Sequence, residues 1–391
     1  MGIGEVLQEQ RKVLGLTITD AARLCGIPRA YLSMIEAGKR APSPQTILQV
    51  MPALSIPTDA WLPAYLGDET RCQHLLRLAN IFYAEQQYDG ARRVLGRAYF
   101  VSRNDHDGRY NTEIYHLLGR VYYAMGLYLR SLRWFRLLDR ATRHFPDPEM
   151  QAVAAYNLGL TLAKLGQRVD AIKRLDEADE SFARLGKRYE AGIAALWKGN
   201  ILLAMHAYPE AHQAYRRAVY FLRRKDYHGD ARLGEAITTA MLQGHAAAVP
   251  LLQAVADSPG SSDLVKAKAG INLAASLRQL ERYSEALVVL QHSRELQDAV
   301  PVSLRAGLLT EDTLCHLFLG DRESAVKTYQ EYRALPGVKD SQDIAAMHIV
   351  AGILGMSPPA EPIPAVIEDD YEQRLKAALQ LLQGSTGSAR A

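Results

Sequence analysis

Small, bulky and polar positions recur along most of this chain with a period near forty residues. Ala79, Gly119, Gly159, Gly199, Ala236, Ala274 and Thr313 lead seven segments, at intervals of 40, 40, 40, 37, 38 and 39. Twelve residues after each leader comes a second small residue: Ala91, Ser131, Ala171, Ala211, Ala248, Ala286 and Ala325. Four residues further, one helical turn on, stands a bulky one: Leu95, Phe135, Leu175, Tyr215, Leu252, Leu290 and Tyr329. Turn formers fall between the two halves of each segment, at Gly126, Gly166, Tyr208-Pro209, Gly244, Arg282-Tyr283 and Gly320-Asp321. The pattern predicts helical hairpins. The small residues let two helices approach, and the bulky residue fills the groove of the next hairpin. Each hairpin buries its apolar face only against its neighbours, so the hairpins stack into a solenoid.

The first fifty residues follow another pattern. Thr17 or Thr19 caps a short helix through Ala21, Ala22 and Leu24. Gly26 ends it in a left-handed turn. Ile27 plugs the core and Pro28 suits the first turn of a second helix. Leu32 and Ile35 face inward, which leaves Arg29, Ala30, Ser33 and Met34 outward. Gly38-Lys39-Arg40 follows as a turn bearing two cations. Past the repeats, residues 356–366 are a Pro-rich linker. An amphipathic helix is expected over 367–383, with Leu375, Ala378, Leu379 and Leu382 on one face, and a disordered tail over 384–391.

Composition narrows the picture. The net charge of +3 over 391 residues is too small for a nucleic-acid coat, and residues 1–50 carry six Lys/Arg against four acids. Any contact with phosphates there depends on where the charges sit. Cys25, Cys72 and Cys315 stand apart with no paired spacing, which argues for a reducing, cytoplasmic setting and against a disulfide framework or a zinc site. No apolar run approaches the length of a membrane span, and the N-terminus lacks a signal segment.

Residues 3–65 resemble a Cro/cI-type (XRE) helix-turn-helix domain of five helices. The resemblance rests on Ile3-Gly4, Leu7 and Arg11 in the first helix, Ala22 and Gly26-Ile27 in the hairpin, and Tyr31-Leu32-Ser33 with Ile35-Glu36-Ala37-Gly38-Lys39-Arg40 after it. Pro42-Ser43 then leads to a fourth helix and Asp59-Ala60-Trp61-Leu62 to a fifth. Ile18 stands where the family usually has a Gln that touches the DNA backbone. Pro52 falls inside the expected fourth helix and should kink or end it. The resemblance implies a major-groove recognition helix. Its candidate DNA-binding residues are Thr17, Thr19, Arg29, Ala30, Tyr31, Ser33, Met34, Lys39, Arg40 and Ser43.

Residues 70–355 resemble tetratricopeptide repeats, most clearly in Asn157-Leu158-Gly159 through Gly166, Ala171, Leu175 and Ala178. Their period is longer than the usual one of about 34. The chain is therefore expected to be all-α. A helix-turn-helix domain over 1–67 should precede a right-handed α-solenoid of seven hairpins and a partial eighth. The pairing of such a head with such a body is similar to the RRNPP class of bacterial quorum-sensing receptors. That class implies a homodimer on double-stranded operator DNA, switched by a short linear peptide in the concave groove.

In such a solenoid the first helix of each hairpin lines the groove. Offsets from the leading small residues place Asn80, Arg120, Asn157, Trp197, Asn200 and Asn272 there, with Tyr83, Tyr123, Tyr156, Lys268 and Arg278 on the same face. Asn offers a donor and an acceptor on one short arm, which suits an extended peptide backbone. By the resemblance, Asn80, Asn157, Asn200 and Asn272 carry that role. Arg120, Lys268 and Arg278 are candidates for an acidic group of the ligand, and Trp197 and the tyrosines for its apolar side chains.

No phosphate loop, His-Glu-x-x-His or Gly-x-Ser-x-Gly is present, so neither catalysis nor a cofactor is expected. His116 is read as a polar lining residue. Arg92-Arg93 and Arg223-Arg224-Lys225 read as solvated faces, with Arg92-Arg93 near enough to the head to assist at DNA. Two other readings stay open: a DNA-binding regulator whose body docks a protein partner, and a pure interaction scaffold with a degenerate head.

Overall fold

The structure is a computed structural model. It describes residues 2–68, 71–103, 110–144, 147–223, 226–296, 300–337 and 341–362. The expected helix at 367–383, the tail at 384–391 and the end of the linker lie outside the described residues. Among the described residues the chain is all helix, with twenty α-helices. It divides into two compact units, one from Met1 to Gly186 and one from Lys187 onward.

The first unit opens with five short helices: α1 (Ile3–Val13), α2 (Ile18–Leu24), α3 (Arg29–Glu36), α4 (Pro44–Ala53) and α5 (Thr58–Asp68). Three hairpins follow: α6 (Cys72–Ala84) with α7 (Tyr88–Ser102), α8 (Asn111–Ala124) with α9 (Tyr128–His144), and α10 (Pro148–Lys164) with α11 (Arg168–Arg184). Head and hairpins share a continuous apolar core. It runs from Ile3, Leu7 and Leu32 through Trp61 and Tyr65 to Leu75, Phe82, Leu95 and Val121. Trp61 of α5 stacks on Phe82 of α6 with centroids 6.2 Å apart. Arg93 of α7 reaches back to Asp59 of α5 at 2.8 Å, and Arg97 to the Gly67 carbonyl at 3.3 Å. The head is thus built onto the first hairpin and is not strung from a linker.

The second unit continues the series. It holds α12 (Arg188–Leu203) with α13 (Tyr208–Phe221), α14 (His228–Gln243) with α15 (His245–Ala256), α16 (Asp263–Gln279) with α17 (Tyr283–Arg294), α18 (Val302–Phe318) with α19 (Arg322–Ala334), and a single helix α20 (Ser341–Leu354). In both units the first helices of successive hairpins touch one another: α6, α8 and α10 in the first unit, and α12 through α20 by even numbers in the second. The first helices therefore form one continuous row in each unit, as the sequence pattern requires.

All the small and bulky repeat positions are buried, and their geometry explains the pattern. A Cβ added to Gly119 would meet the Phe135 ring at 2.4 Å, and one on Gly159 would meet Leu175 at 2.7 Å. Tyr215 lies between Gly199 and Gly234, where added Cβ atoms would come within 2.9 Å and 2.3 Å of its ring. In the glycine-led hairpins the bulky residue thus presses on the leading glycine of its own hairpin, and Tyr215 also reaches Gly234 of the next. Six of the seven hairpin turns close in one way. The residue one after the cap, or two after it at His206, takes a left-handed backbone, and the next N–H returns to a carbonyl five residues back. Glycine fills that position at Gly126, Gly166 and Gly320, whereas Gln86, His206 and Glu281 adopt it with φ of 60°, 58° and 60°.

Pro52 falls in the last turn of α4, and the helix ends one residue later at Ala53, as expected of a proline there. Ser55 then turns left-handed at φ 54° and the Ile56 N–H bonds the Met51 carbonyl.

Candidate functional site

The head places its two signature helices through a few polar clamps. Thr17 caps α2, its hydroxyl accepting the Asp20 N–H at 3.2 Å, so the cap is Thr17 and not Thr19. Gly26 takes φ +63°, and the Gln49 side-chain amide donates to the Cys25 carbonyl at 2.8 Å, pinning the turn between α2 and α3 from α4. Across α3, Leu32 and Ile35 are 0% and 1% exposed while Arg29, Ala30 and Ser33 are exposed. Met34 is half-buried, so it belongs less fully to the outer face than its spacing suggests. Ile18 packs partly buried against the core, which accounts for an apolar residue at that position.

The end of α3 is held from α1. A Cβ on Gly4 would fall 2.3 Å from the Ile35 carbonyl oxygen, so these two helices cross at backbone contact. Arg11 spans the same crossing. Its guanidinium donates to both carboxylate oxygens of Glu36, at 2.7 and 2.8 Å, and to the Leu16 carbonyl at 3.0 Å. The hydrogen-bonded Glu36 carboxylate holds the Arg11 pKa above its ordinary value.

Beyond α3, the Arg40 guanidinium stacks 4.9 Å over the Tyr31 ring, and Lys39 is exposed beside it. The Tyr31 hydroxyl lies 3.3 Å from Thr46, whose N–H is capped by Ser43 at 3.2 Å. Tyr31 and Ser43 thus set the approach of α4 and lie only half exposed, whereas Thr17, Thr19, Arg29, Lys39 and Arg40 are exposed. Gln49 and Thr46 carry no sequence signature of their own, since their partners are backbone and hydroxyl groups of distant segments.

In the repeats the candidate groove residues fall into the two units. In the first, Arg120 stacks 4.4 Å over Tyr83, which brings these two together. Tyr123 packs edge-on against Tyr128, and Tyr156 is half-buried. Burial, with Arg120 one turn on, drives the His116 imidazole down to about 4. The Asn80 and Asn157 amides each donate to the carbonyl four residues back, at 3.1 and 2.8 Å. Arg92 and Arg93 form exposed ion pairs with Asp89 and Asp59.

In the second unit, Trp197 is 38% exposed, and the Asn200 oxygen accepts from the Tyr215 hydroxyl at 2.8 Å. Asn272 donates to the Lys268 carbonyl at 2.8 Å, and the Lys268 charge acts on Asp230. Arg278 corrects the sequence reading. It is 8% exposed and bound through two nitrogens to Glu311, at 2.6 and 3.1 Å. A guanidinium enclosed with its own carboxylate is not placed to take a ligand's.

The helix-turn-helix family matches residues 7–61, the span from Leu7 of α1 to Trp61 of α5. Solved structures resemble much of the chain in fold. The chain is 13% identical to a signal transduction ATPase with numerous domains, carrying a tetratricopeptide repeat sensor, from Pyrococcus horikoshii, with a TM-score of 0.57 over 81% of this chain and 49% of that one. It is 12% identical to the apo form of RapI, with a TM-score of 0.50 over 67% of this chain and 96% of that one. The head is an XRE-type helix-turn-helix domain, and the body is built of tetratricopeptide repeats. No curated protein matches the chain. At these identities the likeness of the repeats is one of fold. Among the described residues no helix is long and apolar enough to cross a membrane.

Proposed function

We propose that the chain is a cytoplasmic transcription regulator without catalytic activity. A homodimer binds operator DNA through α3, and a short extended peptide held along the first helices of the repeats switches that binding. The observation that carries the reading is the outer face of α3, where Arg29, Ala30 and Ser33 stand exposed above buried Leu32 and Ile35 while Arg11 and Glu36 lock the helix in place. Such a face meets base edges in the major groove. The exposed Lys39 and Arg40 beyond it are placed for phosphates.

The test of the DNA reading is selection of bound duplexes from a random pool, followed by mobility shift with variants. Arg29→Ala should weaken the selected site by about 1–3 kcal/mol and relax one base pair, and Lys39→Ala should weaken all sequences alike. Failure of the whole chain to select or retain any duplex would sink it.

The switch rests on the asparagines and tyrosines of the repeat helices, and in the Pyrococcus protein the repeats are named a sensor. Mass spectrometry of material copurified with the full chain identifies the ligand, and titration calorimetry with that peptide tests Asn157→Ala and Asn200→Ala, each by itself. A loss of up to about tenfold in affinity is expected from each lost hydrogen bond. A folded protein recovered in place of a peptide favours the docking reading. That reading has one observation in its favour, since Asn80, Asn157 and Asn272 already bond within their own helices.

A further inference from the structure

Helix α9 carries a charge pattern unlike its neighbour α11. Its sequence places Arg130, Arg133, Arg136, Arg140 and Arg143 at intervals of 3, 3, 4 and 3, with Asp139 the only acid. All five arginines are exposed, while Ser131, Leu132, Phe135, Leu138 and Thr142 form the buried face. At about 100° per residue the arginines cover a stripe about 140° wide and about 20 Å long. Five positive charges against one negative give this single helix +4, more than the +3 of the whole chain.

Solvation alone does not account for the pattern. On α11 basic and acidic residues alternate and pair with each other, as Lys173 with Asp170 at 4.0 Å and Arg174 with Glu177 at 2.9 Å. On α9, Asp139 is taken by Arg143 at 3.1 Å and approached by Arg174 at 3.7 Å. Among the described residues Arg133, Arg136 and Arg140 have no acidic partner. Like charges one turn apart weaken a helix, so the stripe is held against its own repulsion.

We propose that this stripe is a second duplex-DNA surface, holding phosphates in addition to those held by the head. The proposal rests on the DNA-binding reading of the head and adds to it a contact made by the repeats. Three observations select a duplex as the occupant. The residues are all arginine, whose planar fork takes phosphate oxygens in pairs. A duplex carries about one negative charge per 1.7 Å of axis, so a stripe about 20 Å long faces more phosphates than it has arginines. The stripe also belongs to the same compact unit as the helix-turn-helix head, joined to it through a shared core that includes Trp134 of α9. A lipid surface is a poorer match, because Leu129 is the one apolar residue of α9 that stands clear of the core, at 73% exposure.

The experiment uses the full chain and a labelled mixed-sequence duplex of about 40 base pairs, with binding followed by anisotropy from about 50 to 200 mM salt. The stripe variant combines Arg133→Ala, Arg136→Ala and Arg140→Ala. The head variant combines Lys39→Ala and Arg40→Ala. The stripe variant should lower the slope of log affinity against log salt by about 2–3 units, near 0.9 per lost phosphate contact, and weaken binding at least about tenfold at low salt. Its circular dichroism should match the parent and its melting temperature should be no lower, since the replaced side chains are exposed and their mutual repulsion is relieved. A parental slope in the stripe variant, beside a reduced one in the head variant, overturns the stripe and leaves the head's DNA reading standing. A parent chain that binds no duplex overturns both. Unchanged duplex binding with loss of binding to phosphatidylglycerol vesicles assigns the stripe to a membrane surface and overturns the proposal.

Discussion

Arg11 of α1 and Glu36 of α3 lock two helices of the head together across 25 residues of sequence. Two hydrogen bonds of 2.7 and 2.8 Å join them, with their side chains only 11% and 4% exposed. The pair fixes the C-terminal end of α3 against α1, so it governs the aim of that helix's exposed face.

Glu36→Ala should therefore destabilise the head by about 3–5 kcal/mol, because it leaves an enclosed guanidinium without its counter-charge. Replacing both partners, Arg11→Met with Glu36→Leu, should recover much of that loss, since no buried charge remains. Urea unfolding followed by tryptophan fluorescence measures both. A double variant no more stable than the single one would show that the pair acts in some other way.

Two glycines of the first unit should respond in opposite directions to the same change. Gly119→Ala should lower stability by about 1–3 kcal/mol, because its methyl group must displace the Phe135 ring. Gly96 in α7 has open space around its Cβ position. There the substitution should raise stability by about 0.5–1 kcal/mol through helix propensity. Melting temperatures of the two variants give the comparison directly.

The hairpin turns offer a third comparison. Glu281 holds a left-handed backbone that Gly166 holds without steric penalty. Glu281→Gly should stabilise by less than about 1 kcal/mol, since relief of strain is partly offset by a freer unfolded chain. Gly166→Ala should destabilise by about 1–2 kcal/mol. Equal and small effects at both turns would mean that the left-handed position is not what closes them.

His116 predicts a pH dependence. Its folded pKa is about 4, against an ordinary value of 6.5. Above pH 6.5 the ring is neutral in both states and its contribution is complete. As pH falls toward 4 the unfolded chain takes up the proton first, so stability is lost through that window, by about 2 kcal/mol at pH 5. His116→Gln should remove this component when urea midpoints at pH 7.5 and pH 5 are compared. An identical pH response in the variant would assign the effect elsewhere.

Much of this architecture is written in local spacing. Small and bulky positions twelve and sixteen residues from each leader end up buried because each hairpin repeats one packing solution, so a single rule finds all seven. The short helices of the head are legible for a similar reason, since Thr17, Gly26 and Ser43 act through neighbours two or three residues away. Partners remote in sequence are not legible. Arg278 and Glu311 lie 33 residues apart, and nothing near Arg278 announces that its charge is already matched. The asparagine offsets locate a helix face but not what the amide already bonds, and Tyr215 claims the Asn200 oxygen from 15 residues away. The arginines of α9 are visible one by one, but they become a stripe only once the helix register is fixed.

The stacking of Trp61 on Phe82 means that the reading head cannot be exchanged like a plug-in cartridge. Cutting the chain near residue 67, where the sequence alone draws a boundary, would bare apolar surface on both pieces. A head transplanted from another helix-turn-helix protein would arrive with the wrong socket. Evolution can alter the exposed face of α3 one residue at a time, but α5 and α6 must change in concert. What the first hairpins do, the head does with them, as a key turns with its bow.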